Sequence, residues 1–159
     1  MVGHWAFDNN VVPQPDSSGQ GNHGTIVAAT WVNDAERGGA MSFDGDNDYV
    51  EVPDSPSLSI TGDMTIAAWV NVTNYNNYRG IVGKTGAVPN AQRPGPYDFY
   101  FAQEFGGQPN FWRGNGVGGP NSQGNYLGAA APLTNEWEHV VVTMQGTTVQ
   151  HYLNGALNG

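Results

Sequence analysis

The stretch Ala40-Met-Ser-Phe-Asp-Gly-Asp-Asn-Asp-Tyr-Val-Glu-Val52 indicates the fold class of this chain. Apolar residues alternate with polar ones on both sides of its centre, with Met41 and Phe43 before it and Val50 and Val52 after it. A period of two residues is typical of half-buried β-strands. The centre, residues 44–48, contains a glycine and an asparagine that tolerate positive φ. The stretch therefore predicts a pair of short strands joined by a tight acidic turn.

The composition limits the classes of partner and of fold. The chain has 159 residues, enough for one domain with a hydrophobic core, and carries 14 acidic against 5 basic residues, a net charge of -9. This charge repels nucleic acid and favours neutral glycans or cations as partners. No apolar run is long enough to span a bilayer, so we expect no membrane insertion. Glycine and proline are abundant beside five Trp, seven Tyr and six Phe, which favours a turn-rich all-β fold.

Strand-like runs follow one another along the chain, with turn residues between them and no convincing helical pattern. The first is Gly3–Asp8, in which Trp5 and Phe7 share one face. The longest is Met64–Val72, in which five apolar residues share one face and Trp69 lies on the other. Many short strands at regular turn spacing predict a β-sandwich or barrel.

Six blocks of sequence, in order, resemble the laminin-G-like branch of the concanavalin-A-like lectin/glucanase superfamily. The blocks are Trp5–Asp8, Asp16–Gly24, Gly39–Val52, Met64–Val70, Trp137–Thr143 and Tyr152–Gly155. The resemblance implies a single domain over residues 1–159, folded as a jelly-roll sandwich of two antiparallel sheets. It also implies a secreted, extracellular module that binds carbohydrate or mediates adhesion, often with a structural calcium. Fold alone does not fix function.

A calcium site is the first chemical hypothesis. The resemblance implies that Asp16 and Asn22 match the family's calcium positions, and the acidic turn adds three further oxygen donors, Asp44, Asp46 and Asp48. Hard oxygen ligands at this density suit calcium, although the spacing departs from an EF-hand. The alternative is that these residues cap their own turns and bind nothing.

Catalysis is not expected. The glucanases of this superfamily carry a Glu-x-Asp-x-x-Glu strand motif, and retaining hydrolysis needs two carboxyl groups about 5–5.5 Å apart. This sequence has no such motif. Glu136 and Glu138 would share one face of a strand, and we interpret them as solvated residues at a strand start.

Glycan binding is the second chemical hypothesis. Sugar rings stack on exposed aromatic side chains while their hydroxyls bond to amides and charged groups. The candidate binding residues are Tyr75, Tyr78, Arg79, Tyr100, Trp112, Arg113, Asn115 and Tyr126. Tyr100 and Trp112 alternate with Phe99 and Phe111, so they should lie outside if the phenylalanines form the core. The alternative is that these aromatics cover the second face of a sheet or contact another subunit.

The sequence thus supports two functions. The first is a non-catalytic, calcium-containing module that binds a glycan or polysaccharide. The second is a structural or adhesion domain whose aromatic face contacts another protein chain. Family members continue past the Tyr-x-Asn-Gly block, whereas only residues 156–159 follow it here. We therefore expect that the sandwich lacks its last strands and that the first strand is unpaired, as in a fragment or an oligomer completed by another chain.

Overall fold

The structure is a computed structural model that describes residues 1–77, 79–84, 96–114 and 124–159, with the backbone alone at residue 125. These residues form β-strands and two short 3-10 turns. No helix among them is long and apolar enough to cross a membrane. The chain divides into two compact units, residues 1–59 and 60–159. The predicted all-β class is confirmed, while the extent of a single domain stays a prediction.

The first unit contains two antiparallel strand pairs. Its strands are β1 (Thr25–Val27), β2 (Thr30–Asp34), β3 (Gly38–Ser42) and β4 (Tyr49–Glu51), followed by a 3-10 turn at Pro56–Leu58. Strand β1 pairs with β4, and β2 pairs with β3. The turn between β2 and β3 is closed by the Asp34 carboxylate, which accepts hydrogen bonds from the amides of Glu36 and Arg37. The two predicted strands of residues 40–52 exist, but the prediction that they pair with each other is wrong. Strand β3 forms a hairpin with β2, which is closer to it in sequence than β4.

The predicted first strand, residues 3–8, is not a strand. Phe7 adopts a left-handed conformation with φ of 59°, which interrupts an extended ladder. Side chains hold this segment instead. The Trp5 indole donates to the carbonyl of Asn22 at 2.8 Å, and the Trp31 indole donates to the carbonyl of Phe7 at 2.8 Å. Residues 3–8 were expected to form an unpaired strand. They instead form an irregular segment that two tryptophan side chains hold in place.

The second unit contains two four-stranded antiparallel sheets. Its strands are β5 (Met64–Asn71), β6 (Arg79–Lys84), β7 (Tyr97–Ala102), β8 (Gln108–Arg113), β9 (Asn125–Leu127), β10 (Trp137–Gln145), β11 (Thr148–Leu153) and β12 (Ala156–Leu157). One sheet, the β10 sheet, has the order β12-β11-β10-β5. The other, the β7 sheet, has the order β6-β7-β8-β9. A second 3-10 turn, Gln103–Phe105, joins β7 to β8.

The core of the second unit lies between these sheets. The β10 sheet contributes Ile66, Val140, Val142 and Met144. The β7 sheet contributes Tyr97, Phe99, Phe101 and Phe111. In each strand these residues alternate with residues on the outer face, as the period of two requires. The predicted sandwich of two antiparallel sheets, as in the jelly roll, is confirmed.

The end of the chain forms a short hairpin. Strand β11 pairs with β10 on one side and with β12 on the other. Asn154 and Gly155 both have positive φ, 49° and 81°, as a two-residue hairpin turn requires. Asn158 then bonds to the backbone of Ala130 through both ends of its amide. The return strand has only two residues, and the absence of the sandwich's last strands stays a prediction.

Candidate functional site

The predicted aromatic platform is not exposed. Tyr100 and Trp112 lie on the outer face of the β7 sheet, opposite the core, but are only 5% and 7% exposed. They pack with Ala102 and Leu127 as a second apolar cluster. The alternation of residues along β7 and β8 correctly predicted that Tyr100 and Trp112 lie opposite the core. The prediction that they are accessible to solvent is wrong, because that face of the sheet is covered.

An amide on the same face lacks partners. Asn110 is fully buried, lies opposite Tyr100 in the register and precedes Trp112 by two residues. Its Nδ2 and Oδ1 atoms make no hydrogen bond in the structure as described. A buried amide without partners costs stability, so its presence between two aromatic rings needs a compensating reason.

Four other predicted binding residues have structural contacts. The Tyr75 hydroxyl donates to the carbonyl of Pro132 at 2.9 Å. Burial, with a smaller contribution from the charge of Glu138, raises the pKa of Tyr75 to about 12. Arg79 donates to the side chain and backbone of Asn74. Tyr75 is therefore held as a neutral hydrogen-bond donor at the margin of the core.

Arg113 and Tyr126 complete this group. Arg113 donates to the carbonyl of Thr61 and contacts the sulfur of Met144, which fixes its guanidinium. The Tyr126 carbonyl bonds to the His151 Nε2 at 2.8 Å, and its side chain packs against the core. Tyr78 and Asn115 lie outside the described residues. The described members of the predicted set are thus buried or engaged in contacts with the rest of the fold.

The Asp16 carboxylate organises its own loop. It accepts four hydrogen bonds, from the amides of His4, Ser18 and Asn22 at 2.9 Å and from the Ser18 hydroxyl at 2.7 Å. Burial raises the pKa of this carboxyl, but the hydrogen bonds outweigh burial and hold the pKa well below its usual range. Four donors use all the lone-pair directions of a carboxylate. Asp16 cannot bind calcium in this arrangement without losing some of them.

The other predicted calcium ligands also serve local structure. The Asn22 amide donates to the carbonyl of Val2 and to Ser57 Oγ. In the acidic turn, Asp44 accepts from the amide of Asp46, and Asp48 accepts from the amide of Asp44, both at 2.8 Å. Within the described ranges, no three His, Asp or Glu side chains are arranged to hold a metal. The residues do not fit calcium as they stand, and calcium binding stays a prediction.

The two glutamates differ from the interpretation of both as solvated. Glu136 is exposed, but Glu138 is only 5% exposed on the inner face of β10. Its Oε2 has no hydrogen-bond partner among the residues the structure describes. The reason is register, since β10 begins at Trp137 and its even-numbered residues face the core. The two carboxylates therefore lie in different environments.

The outer face of the β10 sheet is open and carries aromatic and polar side chains. We call it the Trp69 face, and it comprises Thr65, Ala67, Trp69, His139, Val141, Thr143, Gln150 and Tyr152. Trp69 is 49% exposed and lies directly across from His139, with their ring centroids 5.0 Å apart. Tyr152 lies two strands away from β5, across Val141. An accessible aromatic pair and a tyrosine therefore share one sheet surface.

Polar side chains accompany these rings. Thr65, Thr143 and Gln150 form one row across three strands, and the Tyr152 hydroxyl donates to Gln150 Oε1 at 3.2 Å. A shallow depression of about 570 Å³ is lined by this row and by Asp63. The Trp69 face as defined includes neither lysine nor arginine. Sequence reasoning placed Trp69 opposite the apolar face of its strand, but it could not place β5 beside β10.

Comparisons with known proteins agree with the architecture. The family model described as concanavalin A-like lectin/glucanases superfamily matches residues 44–159. The 2.1 Å crystal structure of an S-layer domain-containing protein (residues 221–444) from Clostridium thermocellum ATCC 27405 is similar in fold, with a TM-score of 0.63. The similarity covers 99% of this chain and 70% of that chain at 23% identity. A search of curated sequences finds no match.

Proposed function

We propose that this chain, which belongs to the concanavalin A-like lectin/glucanases superfamily, is a non-catalytic module that binds glycan through the Trp69 face. The observation that carries the proposal is the half-exposed Trp69 ring, which lies tilted against His139 on an open sheet beside hydroxyl and amide side chains. A sugar presents both an apolar ring face and hydroxyls, so it matches this combination.

Each part of the Trp69 face has a role in the proposal. The Trp69 indole offers a flat apolar surface for a sugar ring, and His139 limits its motion. Tyr152 offers a second ring, whose hydroxyl is oriented by Gln150. Thr65 and Thr143 supply hydroxyls that both donate and accept. Preorganised aromatic and polar groups lose little conformational entropy on binding, which favours affinity.

Charge favours a neutral glycan over an anionic one. The chain carries a net charge of -9, and Asp63 borders the depression on the Trp69 face. An anionic sugar would be repelled here, since the defined face includes no lysine or arginine to neutralise it. The same charge argues against nucleic acid. We assign no reaction, because the sequence lacks the Glu-x-Asp-x-x-Glu motif of the superfamily's glucanases.

A second function, assembly of a surface layer through protein contacts, is favoured by one observation. The crystal structure similar to this chain comes from an S-layer domain-containing protein. That likeness supports a secreted or cell-surface location for this chain under either proposal. Under the second proposal, adhesion through protein contacts would replace glycan binding as the role of the aromatic surface.

Affinity electrophoresis in gels containing neutral polysaccharides tests the glycan proposal. Trp69→Ala is expected to weaken retention at least about tenfold, or about 1.4 kcal/mol, because the stacking surface is lost. Tyr49→Ala is the matched control, since Tyr49 is also 49% exposed but lies outside the Trp69 face. Absence of retention by every neutral polysaccharide, or equal retention of both variants, would overturn the proposal.

A further inference from the structure

The sequence contains one triplet with the pattern Asn-x-Ser/Thr, which is Asn71-Val72-Thr73. This pattern is the acceptor for N-linked glycosylation when its middle residue is not proline, and modified asparagines lie on the surface of secreted proteins. A triplet enclosed in the fold would be inaccessible. Its position in the structure therefore decides whether it can carry a sugar.

Asn71 is accessible at the end of a strand. It is the last residue of β5 and is exposed. Thr73 is also exposed and lies in a bend just beyond the strand. Between them, Val72 forms an isolated bridge with Thr134 that fixes the backbone of the triplet. The two residues that the pattern requires are therefore presented at the surface, where the chain leaves the sheet.

Aromatic side chains lie around Asn71 on the outer side of the β10 sheet. Trp69 precedes Asn71 by two residues in β5 and therefore points to the same side of the sheet. Trp137 lies directly opposite Asn71 in β10, and His139 lies opposite Trp69. Residues directly opposite in an antiparallel pair have Cβ atoms about 4.5–5.5 Å apart. A group attached to Asn71 therefore emerges beside two tryptophans, at one end of the Trp69 face.

We propose that Asn71 is an N-glycosylation site and that its first sugar ring packs against Trp69. The Trp69 side chain is 49% exposed, so it has apolar area that a sugar can cover. The apolar C–H face of a sugar matches an aromatic ring, and covering that area removes it from water. The inference goes beyond the proposed function, because this sugar is covalently attached to the chain instead of being bound from solution.

The reaction transfers the sugar from a lipid-linked oligosaccharide, which a membrane-bound glycosyltransferase uses as donor. A bond forms between Asn71 Nδ2 and the anomeric carbon of the first sugar. The bond from that carbon to the phosphate oxygen of the lipid carrier breaks, its electron pair leaves with the phosphate, and the amide nitrogen loses one proton. The reaction takes place on the secretory route, so the inference rests on the secreted or cell-surface location proposed above.

Secretion of the full chain from a eukaryotic host cell, whose secretory pathway attaches N-glycans, tests the site. Intact mass spectrometry should show the polypeptide plus an oligosaccharide, which peptide N-glycosidase should remove. Thr73→Ser should keep the oligosaccharide because serine also fits the pattern, whereas Thr73→Val, which has the same shape as threonine, should lose it. A mass equal to that of the polypeptide alone, or an oligosaccharide that persists in Thr73→Val, would overturn the site.

The proposed function is tested separately. Asn71→Gln carries no attached sugar, so its retention in gels containing neutral polysaccharides measures binding through the Trp69 face alone. Failure of that retention and absence of the attached oligosaccharide are therefore distinguishable results.

Thermal unfolding tests the packing against Trp69. An endoglycosidase that leaves a single sugar on Asn71 is compared with Asn71→Gln from the same host. The single sugar should raise Tm by about 2–4 °C in the otherwise unmodified chain and by less than about 1 °C in the Trp69→Ala background. Tyr49→Ala is the matched control background, since Tyr49 is equally exposed, and it should keep the full increase. Equal increases in the two alanine backgrounds, or no increase in the otherwise unmodified chain, would overturn the packing.

Discussion

The two sheets of the second unit differ in what their outer faces do. On the β7 sheet, Trp112 alternates with core residues and is 7% exposed. On the β10 sheet, Trp69 alternates with core residues in the same way and is 49% exposed. Both tryptophans occupy equivalent positions in the strand pattern. Alternation therefore identifies the face opposite the core, but it does not show whether that face is closed or open.

This difference separates two roles for the same residue type. A large aromatic side chain out of solvent contributes to folding through the apolar area it buries. The same side chain on an open face buries less apolar area and therefore contributes less to folding. Matched pairs of residues, one buried and one exposed, can therefore test whether burial alone separates these two roles.

The largest expected effect concerns the two tryptophans. Trp112→Ala should lower the free energy of unfolding by about 3–5 kcal/mol, because it leaves a cavity between Tyr100 and Leu127. Trp69→Ala should lower it by less than about 1 kcal/mol. Urea denaturation of both variants measures the difference. Equal losses of stability would show that the two faces are not distinct.

This comparison also explains how much could be predicted from sequence. The period of two placed Phe99, Phe111 and Val142 in the core and Trp112 and Trp69 opposite it, and the structure agrees. Strand order was not readable, since residues 40–52 divide between two ladders and β5 lies beside β10, more than 60 residues away in sequence. Whether an outer face is covered depends on such long-range placement, so the sequence did not single out the Trp69 face as exposed.

A second test uses two aspartates of the first unit. Asp16→Ala should lower the free energy of unfolding by about 3 kcal/mol, because it leaves buried amide donors without an acceptor. Asp46→Ala, in an exposed turn, should have little effect. Because the pKa of Asp16 is lowered on folding, its contribution is complete above its ordinary value of 3.8 and is lost as pH falls below that value.

The measurement is thermal unfolding from pH 2 to 7, with calcium and with excess chelator. A loss in Asp16→Ala that is the same in both solutions would assign Asp16 to hydrogen bonding alone. A calcium-dependent gain in the unmodified chain that disappears in Asp16→Ala would instead support the calcium prediction. Equal free energies of unfolding for Asp16→Ala and Asp46→Ala would contradict the hydrogen-bonded arrangement around Asp16.

A smaller effect, of opposite sign, is expected at Asn110. Replacing this buried amide with leucine removes two polar atoms that lack partners and keeps the number and branching of the side-chain heavy atoms. Asn110→Leu should therefore raise the free energy of unfolding by about 1–2 kcal/mol. Gln150→Leu, on the open Trp69 face, is the control and should change it by less than about 0.5 kcal/mol. Loss of stability in Asn110→Leu would show that the amide has a partner in solution.

The smallest effect compares two histidines. His151 is 1% exposed on the inner face of β11, with its ring centroid 6.0 Å from that of Phe99. Burial lowers the pKa of His151, and the hydrogen bond to the Tyr126 carbonyl opposes this only in part. His139 lies on the open face beside Trp69. His151 should therefore link folding to pH near neutrality.

The sign follows from proton binding. The unfolded chain protonates this histidine near its ordinary pKa of 6.5, whereas the folded chain does so only at lower pH. Stability is therefore complete above pH 6.5 and falls as pH decreases below it, with a slope of at most about 1.4 kcal/mol per pH unit. His151→Gln can still donate to Tyr126 but cannot titrate. Urea denaturation between pH 5 and 8 should show a flatter slope for His151→Gln than for His139→Gln. If both variants keep the slope of the unmodified chain, another group causes the pH dependence of the free energy of unfolding. The prediction for His151 is then wrong.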